Sequence, residues 1–266
     1  MSSPVPARPA ASLILVRNGV QREDGRRLEV LMVERHGDIE FAGGAFVFPG
    51  GKVERSDATR RLTGRFPSLN DLDSRMAAIR ETFEETGVLL ARHLGSRRPA
   101  ARHDQRRILQ RIERRRHLRD RFLLQELQRH GLMLAPDKLI PFSHWITPEI
   151  RKIRFNTRFY LAAMPSGQMV QHDGTEAVGA FWTPPEYMVE RHGLDIGALM
   201  FPQRMNLIEL SRAGDVTEAM ELARRRPVVP IMPVLEVTED TIFSNIPEEA
   251  GFGGSRFVFA KRRNTA

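Results

Sequence analysis

The sequence predicts a mixed α/β fold, and three observations carry that prediction. Two apolar runs, ASLILVRN at 11–18 and LEVLMVE at 28–34, are joined by a polar stretch, NGVQREDGRR, that suits a hairpin. A helical pattern follows in DLDSRMAAIRETFEETG at 71–87. Strand-like runs then return as FSHWIT (142–147), TRFYLAAM (157–164) and AVGAFWT (177–183), so the two periodicities alternate along one chain.

Between the hairpin and the helix, AFVF at 45–48 leads straight into PGG, a short strand running into a tight glycine turn. In the helix, Asn70 or Asp73 stands where a cap is needed, while Met76, Ile79 and Phe83 share an apolar face. Gly87 fits a left-handed stop. VLLA at 88–91 resumes the apolar pattern, and a second helical stretch runs over 97–130. There Ile108, Ile112, Phe122 and Leu127 form an intermittent stripe among many arginines, with a split or bend expected near 115–120. PPE at 184–186 starts another helix. The pattern is helical again from 195 to about 225, then becomes a proline-punctuated tail.

A length of 266 residues suits one core fold with additions. The formal charge of +8 comes almost wholly from arginine, since lysine occurs only at 52, 138, 152 and 261. Such a balance attracts nucleic acid and phosphorylated metabolites alike and selects neither. With no cysteine, disulfides, thiolate metal sites and cysteine nucleophiles are excluded together. No apolar run reaches the length that crosses a bilayer, and MSSPVPARPA lacks the apolar stretch of a secretory signal. A soluble, cytoplasmic protein with no membrane partner is expected.

Positions i, i+3 and i+4 of a helix share a face, so Glu81, Glu84 and Glu85 bring three carboxylates along one edge. Like charges that close require a cation. Hard oxygen ligands suit magnesium or manganese, whereas a merely solvated face would need only Arg80 and its basic neighbours. The glycines of FPGG at 48–51 let backbone approach a metal or phosphate closely.

PGG followed by RETFEETGV resembles the box of the Nudix superfamily: Gly, five residues, Glu, seven residues, then REUxEExGU with U a bulky aliphatic residue. Gly51, Arg80, Glu81, Glu84, Glu85, Gly87 and Val88 match. Asp57 stands where the pattern has glutamate, 22 residues separate it from Arg80, and Thr82 replaces an aliphatic residue. The interruption falls in a connecting loop, where added residues are tolerated best. An insertion at this place is similar to that of the coenzyme A diphosphatase branch. FVFPGG (46–51), AIRETFEETGVLL (78–90), RFNTRFY (154–160) and FPQ (201–203) extend the resemblance over most of 11–210.

The resemblance implies a Nudix α/β/α sandwich, with a mixed sheet between helices, as a single domain over 1–266. A helical insertion is expected at about 95–135 and a helical C-terminal extension at about 195–266. It also implies Mg2+ or Mn2+ as cofactor, with Glu81 and Glu85 as direct ligands, Glu84 on a further ion, and the Gly50 carbonyl joining them. Glu84 and Glu85 are thereby catalytic. Arg80, pointing to another side of the helix, is expected to pair with Asp57 and fix the loop against the helix, with Gly51 and Gly87 as structural glycines of the box.

A general base in such enzymes often comes from a loop before a late strand. Glu176, in HDGTEAVGAFW, occupies that place as base or additional ligand, or else is a surface glutamate. Glu186 is read as a helix start. The arginines of 97–130 either clamp substrate phosphates or form a solvated face, the second being the ordinary case. Trp145, Phe159 and Tyr160 either stack on adenine or pack into the core, again with the second favoured. His144, His172 and His192 lack metal-ligand spacing.

The leading functional expectation is hydrolysis of coenzyme A or acyl-coenzyme A to 3′,5′-ADP and (acyl-)phosphopantetheine. ADP-ribose, NADH or dinucleoside polyphosphates form a second substrate class, because the box reads only diphosphate and metal. A non-catalytic nucleic-acid-binding or regulatory protein is the third possibility. The acidic helix argues against it, and no recognition motif supports it.

Overall fold

Strand β1 (Arg8–Asn18) is buried at every residue from Ala10 to Val16, which requires cover on both faces of the sheet it enters. Its alternating side chains divide accordingly: Leu13 and Leu15 enter one apolar cluster, Ile14 and Val16 the other. Each such buried aliphatic side chain contributes about 1.5–3 kcal/mol. The computed structural model describes residues 5–38, 42–57, 65–113, 119–171 and 177–261.

Among these residues the main sheet is eight-stranded and mixed. β1 runs parallel to β8 (Phe155–Ala163) from the Arg8–Phe155 pair to the Val16–Ala163 pair. Its other edge is shared. β4 (Gly50–Lys52) pairs antiparallel with Ala10–Ser12, and β2 (Leu28–Arg35) with Val16–Asn18. β2 in turn pairs with β3 (Phe46–Val47) and β9 (Ala177–Thr183). On the far side, β8 pairs with β7 (Ile140–Ile146), which pairs with β10 (Pro230–Ile231).

Helix α1 (Leu72–Thr86) packs on one face of this sheet through Met76, Ile79 and Phe83. It ends at Gly87, whose φ of 69° lies in the left-handed region, with its N–H on the Phe83 carbonyl. The N-cap is Asp71, rather than Asn70 or Asp73, and its carboxylate makes no capping bond. It is held by Arg75 Nε at 2.6 Å and by the Tyr160 hydroxyl at 2.9 Å, so tertiary partners outcompete the local one.

The insertion supplies α2 (Arg102–Glu113) and α3 (Arg119–Arg129), bracketed by the two-stranded sheet of β5 (Ala91–His93) and β6 (Leu132–Leu134). Ile108, Leu123 and Leu127 join the same cluster as α1. The opposite face is covered by α5 (Phe201–Leu210) and α6 (Val216–Arg225), through Met205, Leu207, Leu210, Ala219 and Ala223. α4 (Pro185–His192) begins at the PPE segment and packs with α5.

The helices of the C-terminal extension thus cover the second face of the main sheet. The tail differs from a simple coil: besides β10 it forms a three-stranded antiparallel sheet of β11 (Val234–Val237), β12 (Thr241–Asn245) and β13 (Arg256–Lys261). Its prolines, at 227, 230, 233 and 247, sit at or outside the ends of these strands, where no ladder bond is lost.

Candidate active site

The PGG segment is not a free turn. Pro49 accepts the Leu13 N–H at 2.8 Å and the Ser12 hydroxyl at 3.0 Å, and Gly50 then enters β4. A Cβ on Gly50 would stand 2.5 Å from the Ala11 carbonyl oxygen and 2.6 Å from Ser12 Cα, so backbone contact itself demands glycine. On Gly51 a Cβ would stand 2.4 Å from the Glu81 carboxylate carbon. The missing side chain is what lets a carboxylate of α1 lie on β4.

The same strand reaches α1 again one turn later, where the Gly50 N–H donates to Glu85 Oε2 at 3.0 Å. Arg80 organises the rest. Its Nε and Nη2 form a two-pronged bond to Asp57 at 3.0 and 3.1 Å, and Nη2 also donates to the Lys52 carbonyl at 3.0 Å. Its Nη1 lies 2.9 Å from Glu81 Oε1 and 3.3 Å from Glu84 Oε2.

The guanidinium therefore does not point away from the acidic edge, as the helical wheel suggests. Its length lets it join the Asp57 turn and two of the three glutamates at once. Arg80 and Asp57 are 5% and 4% exposed. Burial alone would lower the guanidinium pKa, but the Asp57 bond and the charges of Glu81, Asp57 and Glu84 outweigh it and hold Arg80 above its ordinary value.

Part of the stretch that interrupts the box is helical. Of the residues between Asp57 and Arg80, Leu72–Ile79 form the first two turns of α1. They are anchored by Arg75, which donates to the carbonyls of Pro136 (3.0 Å) and Leu139 (2.5 Å). Thr82 fits an apolar position because its hydroxyl is returned to the Ala78 carbonyl at 2.7 Å.

The donor set suits a hard divalent cation: three helix carboxylates over a glycine strand that has room for one of them. Among the described residues, though, no three His, Cys, Asp or Glu side chains converge as a metal cage requires. Glu81 and Glu84 turn toward Arg80, and Glu85 toward the Gly50 N–H.

Glu176 and His172 lie outside the described residues. Trp145, Phe159 and Tyr160 are buried in the core, which removes them as adenine platforms. Arg102, Arg106, Arg107 and Arg111 are on the exposed face of α2. Glu186, at the start of α4, pairs with Arg22 at 2.7 Å and Arg26 at 3.6 Å. His144 bonds Asn156 through Nε2.

Two buried glutamines had no signal in the sequence. Gln168 donates to the carbonyls of Leu89 and Ala100, each at 2.9 Å, and accepts the Leu89 N–H at 2.8 Å. Gln105 donates to the carbonyls of Gly87 (2.9 Å) and Met169 (2.6 Å). Together they fasten the loop after β8 to the segment that follows the acidic helix. Isolated polar residues in a polar stretch carry no mark of that role.

The chain has counterparts among known proteins. The model of the NUDT19 Nudix domain matches residues 58–210. Nudix hydrolase 7 of Caenorhabditis elegans is 30% identical over 241 residues, covering 90% of this chain and 72% of that protein. Acyl-coenzyme A diphosphatase NUDT19 of Xenopus laevis is 25% identical over 278 residues, covering 85% and 72%. The crystal structure of a NUDIX hydrolase from Alicyclobacillus acidocaldarius superposes with a TM-score of 0.65 at 27% identity, over 81% of this chain and 96% of that one.

The chain belongs to the Nudix hydrolases. Within them it falls in the group that the NUDT19 Nudix domain describes, and it is a diphosphatase enzyme, which sets aside the non-catalytic nucleic-acid-binding reading. Among the described residues no helix is long and apolar enough to cross a membrane.

Proposed function

We propose that this protein hydrolyses the diphosphate bridge of coenzyme A or an acyl-coenzyme A. Water adds across one P–O–P linkage, giving 3′,5′-ADP and phosphopantetheine or its acyl derivative. The observation that carries the reaction class is the carboxylate edge of α1 laid on Gly50–Gly51 and clamped by Arg80 and Asp57. The substrate class is supported by the resemblance to acyl-coenzyme A diphosphatases.

On this reading, residues 1–266 form one Nudix domain. Glu81, Glu84, Glu85 and the Gly50 carbonyl hold Mg2+ or Mn2+, which when bound neutralises the diphosphate charge and acidifies water. The chain's own work is positional. Arg80 holds Glu81 and Glu84 at one end of the edge, the Gly50 N–H holds Glu85 at the other, and Asp57 keeps Arg80 from swinging away. Glu176 serves as general base or further ligand.

The test is product analysis with magnesium and with manganese against coenzyme A, an acyl-coenzyme A, ADP-ribose, NADH and diadenosine polyphosphate. Release of 3′,5′-ADP fastest, reduced about 100-fold or more by Glu85→Gln, is the expected result. Faster turnover of any of the other substrates would move the assignment to that substrate class and leave only the hydrolysis mechanism standing.

A further inference from the structure

A groove of about 650 Å³ opens where β1 and β8 end, a size in the range that holds small-molecule ligands. Met164, Met169, Val170 and Trp182 give it apolar walls, alongside the polar Arg17 and Asn18. Met164, Val170 and Trp182 pack against the same apolar cluster as α1, whereas Val16 and Val216 belong to the cluster on the opposite face, so the groove opens at the end of the sheet beside both layers.

Two connections tie it to that site. The wall loop over 165–171 returns to the acidic helix, where the Gln171 N–H donates to the Thr86 carbonyl at 2.9 Å, one residue past Glu85. Gln168 and Gln105, both buried, hold the loop in place. Along β1, Ser12 opposes Gly50, and Val16 lies four residues further on, roughly 13 Å away at the rise of an extended strand. That separation is of the order of an extended pantetheine arm.

The lining discriminates between the two ends of such a substrate. The face of Trp182 is already covered by the Arg17 guanidinium, 4.4 Å from the ring centroid, and Arg17 Nε is bonded to Glu29 at 2.7 Å. A nucleobase stacking there would have to displace a paired cation. Two unbranched methionines, one of them 47% exposed, instead offer walls that repack around a flexible chain.

We infer that this groove receives the acyl chain of an acyl-coenzyme A whose diphosphate lies at Glu81, Glu84 and Glu85. The inference rests on the coenzyme A reading above and names the part of the substrate that the box does not touch.

The test separates the two. S-octanoyl-pantetheine, which has no diphosphate, is titrated calorimetrically into the whole protein and into Ala163→Trp, a change at an exposed position in the groove wall. Binding by the unaltered protein, weakened tenfold or more in the variant, is expected. Within the variant, the kcat/KM ratio of octanoyl-coenzyme A to free coenzyme A should fall by at least tenfold. Met169→Gln, a smaller change at an exposed residue, should lower the same ratio.

No binding of S-octanoyl-pantetheine to the unaltered protein would overturn the inference, as would an equal loss for free and acylated substrates. Binding of 3′,5′-ADP that Ala163→Trp abolishes would reassign the groove to the nucleotide. If S-octanoyl-pantetheine binds yet no coenzyme A substrate releases 3′,5′-ADP, the groove still takes an acyl-pantetheine chain, but the coenzyme A reading falls and the inference that rests on it is overturned.

Discussion

Gly51 and Glu81 share one space: the position a Cβ would take on Gly51 lies 2.4 Å from the Glu81 carboxylate carbon. The backbone of Gly51 is ordinary extended strand, so the requirement for glycine comes from the carboxylate above it rather than from conformation.

Gly51→Ala should therefore disable the site more than the fold. The tip of Glu81 is flexible and moves aside, so the loss of stability is about 1 kcal/mol, within the common range for a point change, while kcat drops by an order of magnitude or more. Combined with Glu81→Ala, the stability cost of Gly51→Ala should largely vanish, because the clash has gone. Urea melts of the four proteins in this cycle check both statements.

Arg80 and Asp57 should be inseparable in stability measurements. Removing either leaves a buried charge without its two-pronged partner, at a cost of about 3 kcal/mol. Arg80→Lys keeps the charge but cannot reproduce the fork, so it should recover only part of that loss. The Arg80→Ala/Asp57→Ala double variant should lose clearly less than the sum of the singles. Additive losses would mean that the pair is not coupled.

Divalent metal should be visible without turnover. Magnesium or manganese at millimolar concentration should raise the Tm of the unaltered protein by a few degrees, through preferential binding to the folded state. Glu81→Gln/Glu85→Gln should abolish the shift and its reversal by a chelator. A shift that survives in this variant would place the ion elsewhere.

His144 should make the protein acid-sensitive. Burial lowers its pKa below the ordinary 6.5, and Arg158 adds to this while the Asn156 bond opposes it. Because the unfolded chain takes up the proton first, this contribution is intact above pH 6.5 and is lost as pH falls through the lower folded pKa. His144→Gln should flatten the decline in urea midpoint between pH 7 and 5. An unchanged slope would assign the acid sensitivity to other groups.

The alternation of strand and helix patterns was legible in the sequence, as were the spacing of Glu81, Glu84 and Glu85 and the stop at Gly87. Each is set by contacts between residues near in sequence, where periodicity and backbone preference act directly. The family was legible because charged residues at fixed helical spacing are sparse by chance.

The direction of Arg80, the pairing of Gly50–Lys52 with β1, and the use of Asp71 to hold Tyr160 and Arg75 were decided only in the tertiary structure. So was the second helical layer built by residues 201–225. The partners Ser12 for Gly50 and Tyr160 for Asp71 lie tens of residues away, and Arg80, whose pairing with Asp57 the family pattern implied, turns its remaining nitrogen to Glu81 and Glu84 because that distant carboxylate fixes the guanidinium. A long polar side chain is free to satisfy several such partners, and its choice follows from which of them folding buries beside it. Local sequence therefore determined what the acidic helix is, and long-range packing determined what it faces.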